Sequence, residues 1–196
     1  MQQFFAITKT KRVLKEPKNG KKTEMVSVKT PILSPEHIPV ILDFFKDLRI
    51  LLIIRILLGS GIRYEELSQI TRETFYPDNR SVLIESKKKA CVNPARYCYL
   101  SKDACTAVKE WIEGDYTLMS RVGFYQHMKI FEVATGIKIT SKTFRKTHEI
   151  WRLATGHEFY KVGSDMGHTS RVLISNYYSP IPWNEEQIEK IKGLIS

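Results

Sequence analysis

Lys142-Thr143-Phe144-Arg145-Lys146-Thr147 leads on to Gly156, then to Met166-Gly167-His168-Thr169-Ser170, then to Tyr177. Arg145 stands 23 positions before His168, and His168 stands nine before Tyr177. A second stretch lies upstream: Ser60-Gly61-Ile62-Arg63-Tyr64-Glu65-Glu66-Leu67. The two stretches together hold two arginines, a histidine and a tyrosine in fixed order. A phosphodiester carries one negative charge, and more charge builds on its non-bridging oxygens as it is attacked. Two guanidiniums can hold those oxygens through paired hydrogen bonds. An attacking tyrosine stores the bond energy as a phosphotyrosyl ester, so rejoining needs no ATP. These residue types point to the breaking and rejoining of a nucleic-acid strand.

The bulk properties agree with a nucleic-acid partner. The chain has 196 residues, the size of one domain or of one domain with a short arm. Its net charge of +10 favours a polyanionic partner such as nucleic acid or an acidic membrane, and the arginines and tyrosine turn that reading toward double-stranded DNA. Cys91, Cys98 and Cys105 are spaced seven apart with no C-x-x-C pair. That argues against a disulfide scaffold and against a zinc site, and it fits a reducing cytoplasm. The N-terminus has no long apolar core of a signal peptide. The most apolar stretch, Leu48 to Leu58, is too short to span a bilayer and contains Arg49 and Arg55. It reads as a buried helix, and no membrane partner is expected.

The local patterns give a mostly helical α+β fold with a small three-stranded antiparallel sheet. Residues 1–30 are rich in Lys and Thr, with a turn at Pro17-Lys18-Asn19-Gly20 and a short strand over Met25–Val28. They read as a basic arm along a phosphate backbone or as a solvated linker. Ser34-Pro35-Glu36 opens a helix, with Ser34 as cap. Its apolar face runs Ile38, Ile41, Phe44, Phe45 and Leu48. The Leu48–Leu58 helix stops at Gly59-Ser60-Gly61, and a new helix starts near Tyr64. Strands are expected at Glu73–Tyr76, Ser81–Glu85 and Arg96–Leu100, with a turn at Pro77-Asp78-Asn79. Ser101 caps the next helix, which Gly114 closes. Further helices cover Ser120–Thr135, Ser141–Ala154 and Tyr160–Met166, and one after His168 carries Tyr177. In the tail, residues 183–196, Asn184 and Gln187 form a capping box, and Trp183 and Ile188 form a hydrophobic staple. Ile188, Ile191 and Ile195 make its apolar stripe.

The two motif stretches resemble the tyrosine recombinase (integrase) family, which includes the phage integrases, the Xer proteins and Cre. That family's first block commonly reads T-G-L-R-x-x-E-L, beside Ser60–Leu67 here. Its second reads H-x-L-R-H-T, then a glycine eleven residues past the arginine, then L-G-H, then Tyr. Lys142–Thr147, Gly156, Met166–His168 and Tyr177 fit those spacings without a gap. The resemblance covers residues 31–182 and implies the family's helical catalytic domain. Carried over, Arg63 and Arg145 bind the scissile phosphate, His168 adds a hydrogen bond, and Tyr177 is the nucleophile, with Tyr178 the alternative. The family's hairpin lysine, general acid for the leaving 5′ hydroxyl, falls at Lys87 or Lys88, with Lys88 favoured. Lys87, Lys89 and Lys146 are candidate DNA contacts. Glu66 matches an acidic residue that orients its neighbours. No cofactor and no metal are implied.

Two departures stand out. Lys142 replaces the family's histidine before the second arginine, and Lys146 the one after it. An ordinary lysine pKa of about 10.4 makes Lys142 a charge stabiliser, not a base. Archaeal viral integrases of the fusellovirus type are similar in having lysine there. The implied function is site-specific recombination through a 3′-phosphotyrosyl link, integrating or excising a viral or plasmid genome in the host cytoplasm, by a homo-oligomer (dimer to tetramer) on DNA. The alternatives are a tyrosine-type topoisomerase and a DNA-binding homologue whose chemistry has lapsed. The N-terminal helical domain that many relatives use to clamp DNA has no counterpart in residues 1–33, so a catalytic fragment or a minimal enzyme is expected. The final helix either packs on its own domain or docks into a neighbouring protomer.

Overall fold

The computed structural model describes residues 30–85, 95–167 and 183–196. The Met25–Val28 strand, the lysines at 87–89, His168, Tyr177, Tyr178 and the helix expected around them lie outside the described residues. Among the described residues are seven α-helices, a 3₁₀ helix and a three-stranded sheet. They run α1 (His37–Phe44), α2 (Leu48–Ser60), the 3₁₀ helix (Tyr64–Gln69), β1 (Phe75–Tyr76), β2 (Ser81–Glu85), β3 (Ala95–Tyr99), α3 (Lys102–Glu113), α4 (Arg121–Thr135), α5 (Ser141–Ala154), α6 (Phe159–Met166) and α7 (Glu185–Ile195).

The central element is α2. Ile50, Leu52, Ile53, Ile54, Ile56 and Leu57 are each at most 1% exposed, so the helix is apolar around most of its circumference. Such a helix must be covered on several sides, and α3 and α5 provide that cover. Arg55 interrupts the apolar run and is satisfied at the surface. Its Nη2 lies 2.7 Å from Asp103 Oδ1 and its Nη1 3.4 Å from Glu110 Oε2, both on α3.

The sequence predicts one apolar face running from Ile38 to Leu48, and the structure corrects this. The chain leaves the helix at Phe45, which has extended backbone, and restarts at Asp47. The Asp47 carboxylate accepts from the backbone N–H groups of Arg49 (2.8 Å) and Ile50 (3.4 Å), capping α2. Leu48 is therefore 48% exposed and lies off the core face. Ser34 does not cap α1 with its side chain. Its carbonyl accepts from the His37 N–H, and the helix begins two residues past the Pro35 turn.

The sheet has the order β1-β2-β3, all antiparallel, with Val82 opposite Cys98 and Ile84 opposite Arg96. The β1–β2 turn closes through the Arg80 N–H on the Pro77 carbonyl, with Arg80 at φ 45°. Ser101 and Asn184 cap α3 and α7 as their positions predict, and Ser120 caps α4, which starts one residue later than expected. Gln187 returns the Asn184 bond and also reaches Glu36.

Two long-range arrangements position the site. Trp151 on α5 is fully buried and donates its indole N–H to the Leu33 carbonyl at 3.1 Å. That bond lays the segment before α1 along α5. The tail helix α7 packs on α5 and α3, with Ile191 and Ile195 buried and Ile188 half-buried. Burying two isoleucines contributes about 1.5–3 kcal/mol each.

Candidate active site

The site forms where the end of α2, the 3₁₀ helix, α5 and the end of α6 converge. Gly61 ends α2 in the left-handed region at φ +65°. A Cβ there would lie 2.6 Å from Met166 Sδ and 2.7 Å from His148 Cδ2, so only glycine fits. The sharp turn lets the Gly61 carbonyl face α5, and the 3₁₀ helix starts three residues later.

Arg63 precedes that 3₁₀ helix and Glu66 lies in it. The Glu66 carboxylate accepts from the Arg63 backbone N–H at 2.7 Å and from Arg63 Nη1 at 2.8 Å. Glu66 is nearly buried, and burial alone would push its carboxyl pKa up. The Arg63 N–H and the Arg96 and Arg63 guanidiniums outweigh burial and hold it below the usual carboxylate range. Arg63 is thus tethered at one end, while its side chain stays 40% exposed.

Arg145 lies in the second turn of α5. Its Nη1 donates to the Gly61 carbonyl at 2.6 Å, and its Nη2 donates to the Met166 carbonyl at the end of α6. A guanidinium has five N–H donors, and among the described residues two of them are engaged, which fixes its position. Burial, and then the positive charge of Arg63, push the Arg145 pKa down to about 10, with Glu66 acting against them. It remains a cation at neutral pH. Arg145 bonds the carbonyl of Gly61, two residues before Arg63, so the two guanidiniums lie at one end of α2. Two guanidiniums held near each other, with Glu66 beside them, suit an anionic ligand.

The two lysines of α5 differ. Lys142 is exposed in the first turn, three residues before Arg145 and so on the same side of the helix. Lys146 is mostly buried, with its ammonium 3.5 Å from Glu149 Oε2. Burial lowers its pKa, and Glu149 opposes that.

Residues 31–181 match the model of the phage integrase family. The chain belongs to the phage integrase family. Its fold is similar to that of the XerA recombinase, with TM-score 0.62 at 15% identity over 83% of this chain and 64% of that one. It is similar to the Tn1549 transposon integrase, solved with transposon right end DNA, with TM-score 0.64 at 17% identity over 88% and 68%. The integrase from mycobacterium phage Brujita gives TM-score 0.62 at 17% identity over 90% and 61%. The chain therefore spans under two thirds of the XerA and Brujita chains. No curated protein sequence matches it. The small sheet between helices is that of a tyrosine recombinase catalytic domain.

This integrase-family domain brings together Arg63, Glu66 and Arg145 from sequence motifs about 80 residues apart. Arg96 on β3 joins the same cluster, and sequence reasoning missed it. A signal was available: strand alternation puts Arg96 on the face of buried Cys98, and a charge on such a face requires a partner. Behind the cluster, Arg152 and Asp165 pair at 2.7 Å with side chains 2% and 18% exposed. They tie α5 to α6. Among the described residues, no helix is long and apolar enough to cross a membrane, and no His, Cys, Asp and Glu group is placed to hold a metal.

His148 gives the domain a pH dependence. It is fully buried beneath Gly61, with Nδ1 2.8 Å from the Leu58 carbonyl. Nδ1 therefore carries the proton of a neutral ring. Burial, and then the charge of Arg152, push its pKa down to about 3. The unfolded chain takes up this proton near pH 6.5, while the folded chain does not. Stability is therefore lost as pH falls from about 6.5 toward 3, with a slope of about 1.4 kcal/mol per pH unit from this residue. Urea midpoints of wild type and His148→Gln between pH 7 and 4 check this. The wild type should lose stability faster than the variant, and parallel curves would refute the assignment.

Proposed function

We propose that this domain is a site-specific DNA recombinase that cleaves and rejoins one strand at a time through a 3′-phosphotyrosyl intermediate. One observation carries the reading: Arg145, clamped between the carbonyls of Gly61 and Met166, lies at the same end of α2 as Arg63, which Glu66 holds in place. Two fixed cations suit a phosphate whose charge grows during attack. The basic net charge supports a DNA partner. The Tn1549 relative was solved on transposon DNA, which supports the same partner.

In this reading Arg63 and Arg145 hold the scissile phosphate, and His168 adds a hydrogen bond to a non-bridging oxygen. Tyr177 attacks phosphorus, its phenolic proton leaves, and the 5′ oxygen departs with a proton from Lys88 or Lys87. The free 5′ hydroxyl of a partner strand then reverses the step. Exchange between two duplexes calls for a homo-oligomer on DNA, a dimer to tetramer, with the tail helix able to serve as a link between protomers. Lys142, exposed beside Arg145, stabilises charge. Lys87 and Lys89 contact the backbone. For Lys146 to do so, it must leave Glu149. The lysine at position 142 favours an integrase of the archaeal fusellovirus type, acting on a viral or plasmid genome. The chemistry proposed uses no metal or cofactor.

The test is covalent trapping. The protein is mixed with a randomised pool of nicked duplexes in chelator and then denatured. A DNA-shifted band is expected. Binding without such a band would show a lapsed DNA-binding homologue. Relaxation of a supercoiled plasmid, with no exchange between paired selected sites, would show a topoisomerase.

A further inference from the structure

Arg96 lies next to the start of β3 and its side chain is 9% exposed. A guanidinium this buried is costly unless its donors are matched. Its Nη2 donates to Glu66 Oε2 at 2.7 Å, and its Nε donates to the Asp165 carbonyl at 3.0 Å. Both partners belong to the candidate site. Glu66 is the carboxylate that holds Arg63. Asp165 precedes Met166, whose carbonyl holds Arg145.

The surroundings are built around this side chain. Gly167 has φ +62°, and a Cβ there would lie 3.0 Å from Arg96 Nε and 3.2 Å from its Cζ. The glycine of the Met166–His168 motif is favoured by its backbone angle, and Arg96 packs closely against it. On the same strand face, the Cys98 thiol also donates to the Asp165 carbonyl at 3.2 Å. One end of β3 is thus joined to the 3₁₀ helix and to the end of α6.

We propose that Arg96 is a positioning residue, whose guanidinium bridges Glu66 and the Asp165 carbonyl and thereby fixes Arg63 and Arg145 relative to each other and to β3. Its planar fork serves two acceptors at once, which an ammonium cannot do at these two angles. Without it, among the described residues, Glu66 keeps its hydrogen bonds to Arg63, and the end of α6 keeps the Cys98 thiol as its hydrogen bond to the strand. Both arginines gain freedom, and small misplacement of catalytic groups is costly. The consequence for strand cleavage rests on the recombinase reading above. The geometric consequence does not.

The test has two arms, using Arg96→Met and Arg96→Lys. The first arm records the Nε–H signal of Arg63 by nitrogen–proton NMR, identified by its loss in Arg63→Lys. The second measures the single-turnover rate of adduct formation at saturating nicked DNA, with DNA affinity measured separately in a Tyr177→Phe background. Arg96→Met should shift and broaden the Arg63 signal and slow adduct formation by up to about 10²-fold, with DNA affinity nearly unchanged. Glu66→Gln should act through the same link, so that the double variant falls well short of the product of the two losses. Arg96→Lys should lie between Arg96→Met and wild type, and it carries the test if Arg96→Met does not fold. An unchanged Arg63 signal with a wild-type rate in a folded variant would overturn the proposal. If the wild type itself forms no adduct, the recombinase reading falls, and the Arg63 signal alone decides the role of Arg96.

Discussion

Tyr177→Phe should abolish the covalent protein–DNA adduct on nicked duplexes, while Tyr178→Phe should retain it. Removing a covalent nucleophile costs on the order of 10⁶-fold in rate, so no band should be detected. On the helix that the sequence predicts there, adjacent positions would point about 100° apart, so only one of the two phenols would face a given phosphorus atom. In the proposed reading that role falls to Tyr177, the position that the family resemblance implies, nine residues after His168. An unperturbed phenol ionises near pH 10. The arginine pair at the candidate site favours the phenolate form of a tyrosine brought beside it. Both variants should bind DNA as the wild type does, since each loses only a hydroxyl. Trapping that survives in Tyr177→Phe and is lost in Tyr178→Phe would reassign the nucleophile. Trapping that survives in both would refute the mechanism.

The second large effect is expected at Arg145. Arg145→Lys keeps the charge but not the geometry. The guanidinium donates to two carbonyls on different elements, Gly61 and Met166, and has five donors in all. An ammonium is a compact point charge with three donors. It cannot hold both carbonyls and also grip two phosphate oxygens. Adduct formation should fall about 10²–10³-fold, the usual loss when one donor to a developing oxyanion is removed. The salt dependence of DNA binding should stay nearly unchanged, because the number of neutralised phosphates is the same. A rate close to wild type would show that Arg145 is an architectural clamp and nothing more.

Local physics explains which features the sequence disclosed. Ser101, Ser120 and Asn184 each cap a helix through a bond to a backbone N–H three residues on, so the helix starts were legible. The three strands were legible from short apolar and aromatic runs between turn residues. The break between α1 and α2 was not, because apolar spacing continues smoothly from Ile38 through Phe45 to Leu48. The one local sign was Asp47, a capping residue placed just before a long apolar run. At the site, Arg63 and Arg145 could be singled out by their order and spacing, and the structure sets them together. Their clamps could not be read. The Gly61 and Met166 carbonyls carry no side-chain identity, and sequence pattern does not indicate which carbonyl a distant arginine will meet. The partners of Arg96 were equally unreadable, since they lie 30 and 69 positions away, although its place on the face of Cys98 showed that it needed a partner.

The most direct measurement is to digest the trapped adduct and locate the nucleotide by mass spectrometry. The prediction is one DNA-linked peptide containing residues 172–190, with the 3′ phosphate of the cleaved strand joined to the oxygen of Tyr177. A 5′ linkage, a link to a residue other than Tyr177 or Tyr178, or no linked peptide from DNA that the protein binds would contradict it.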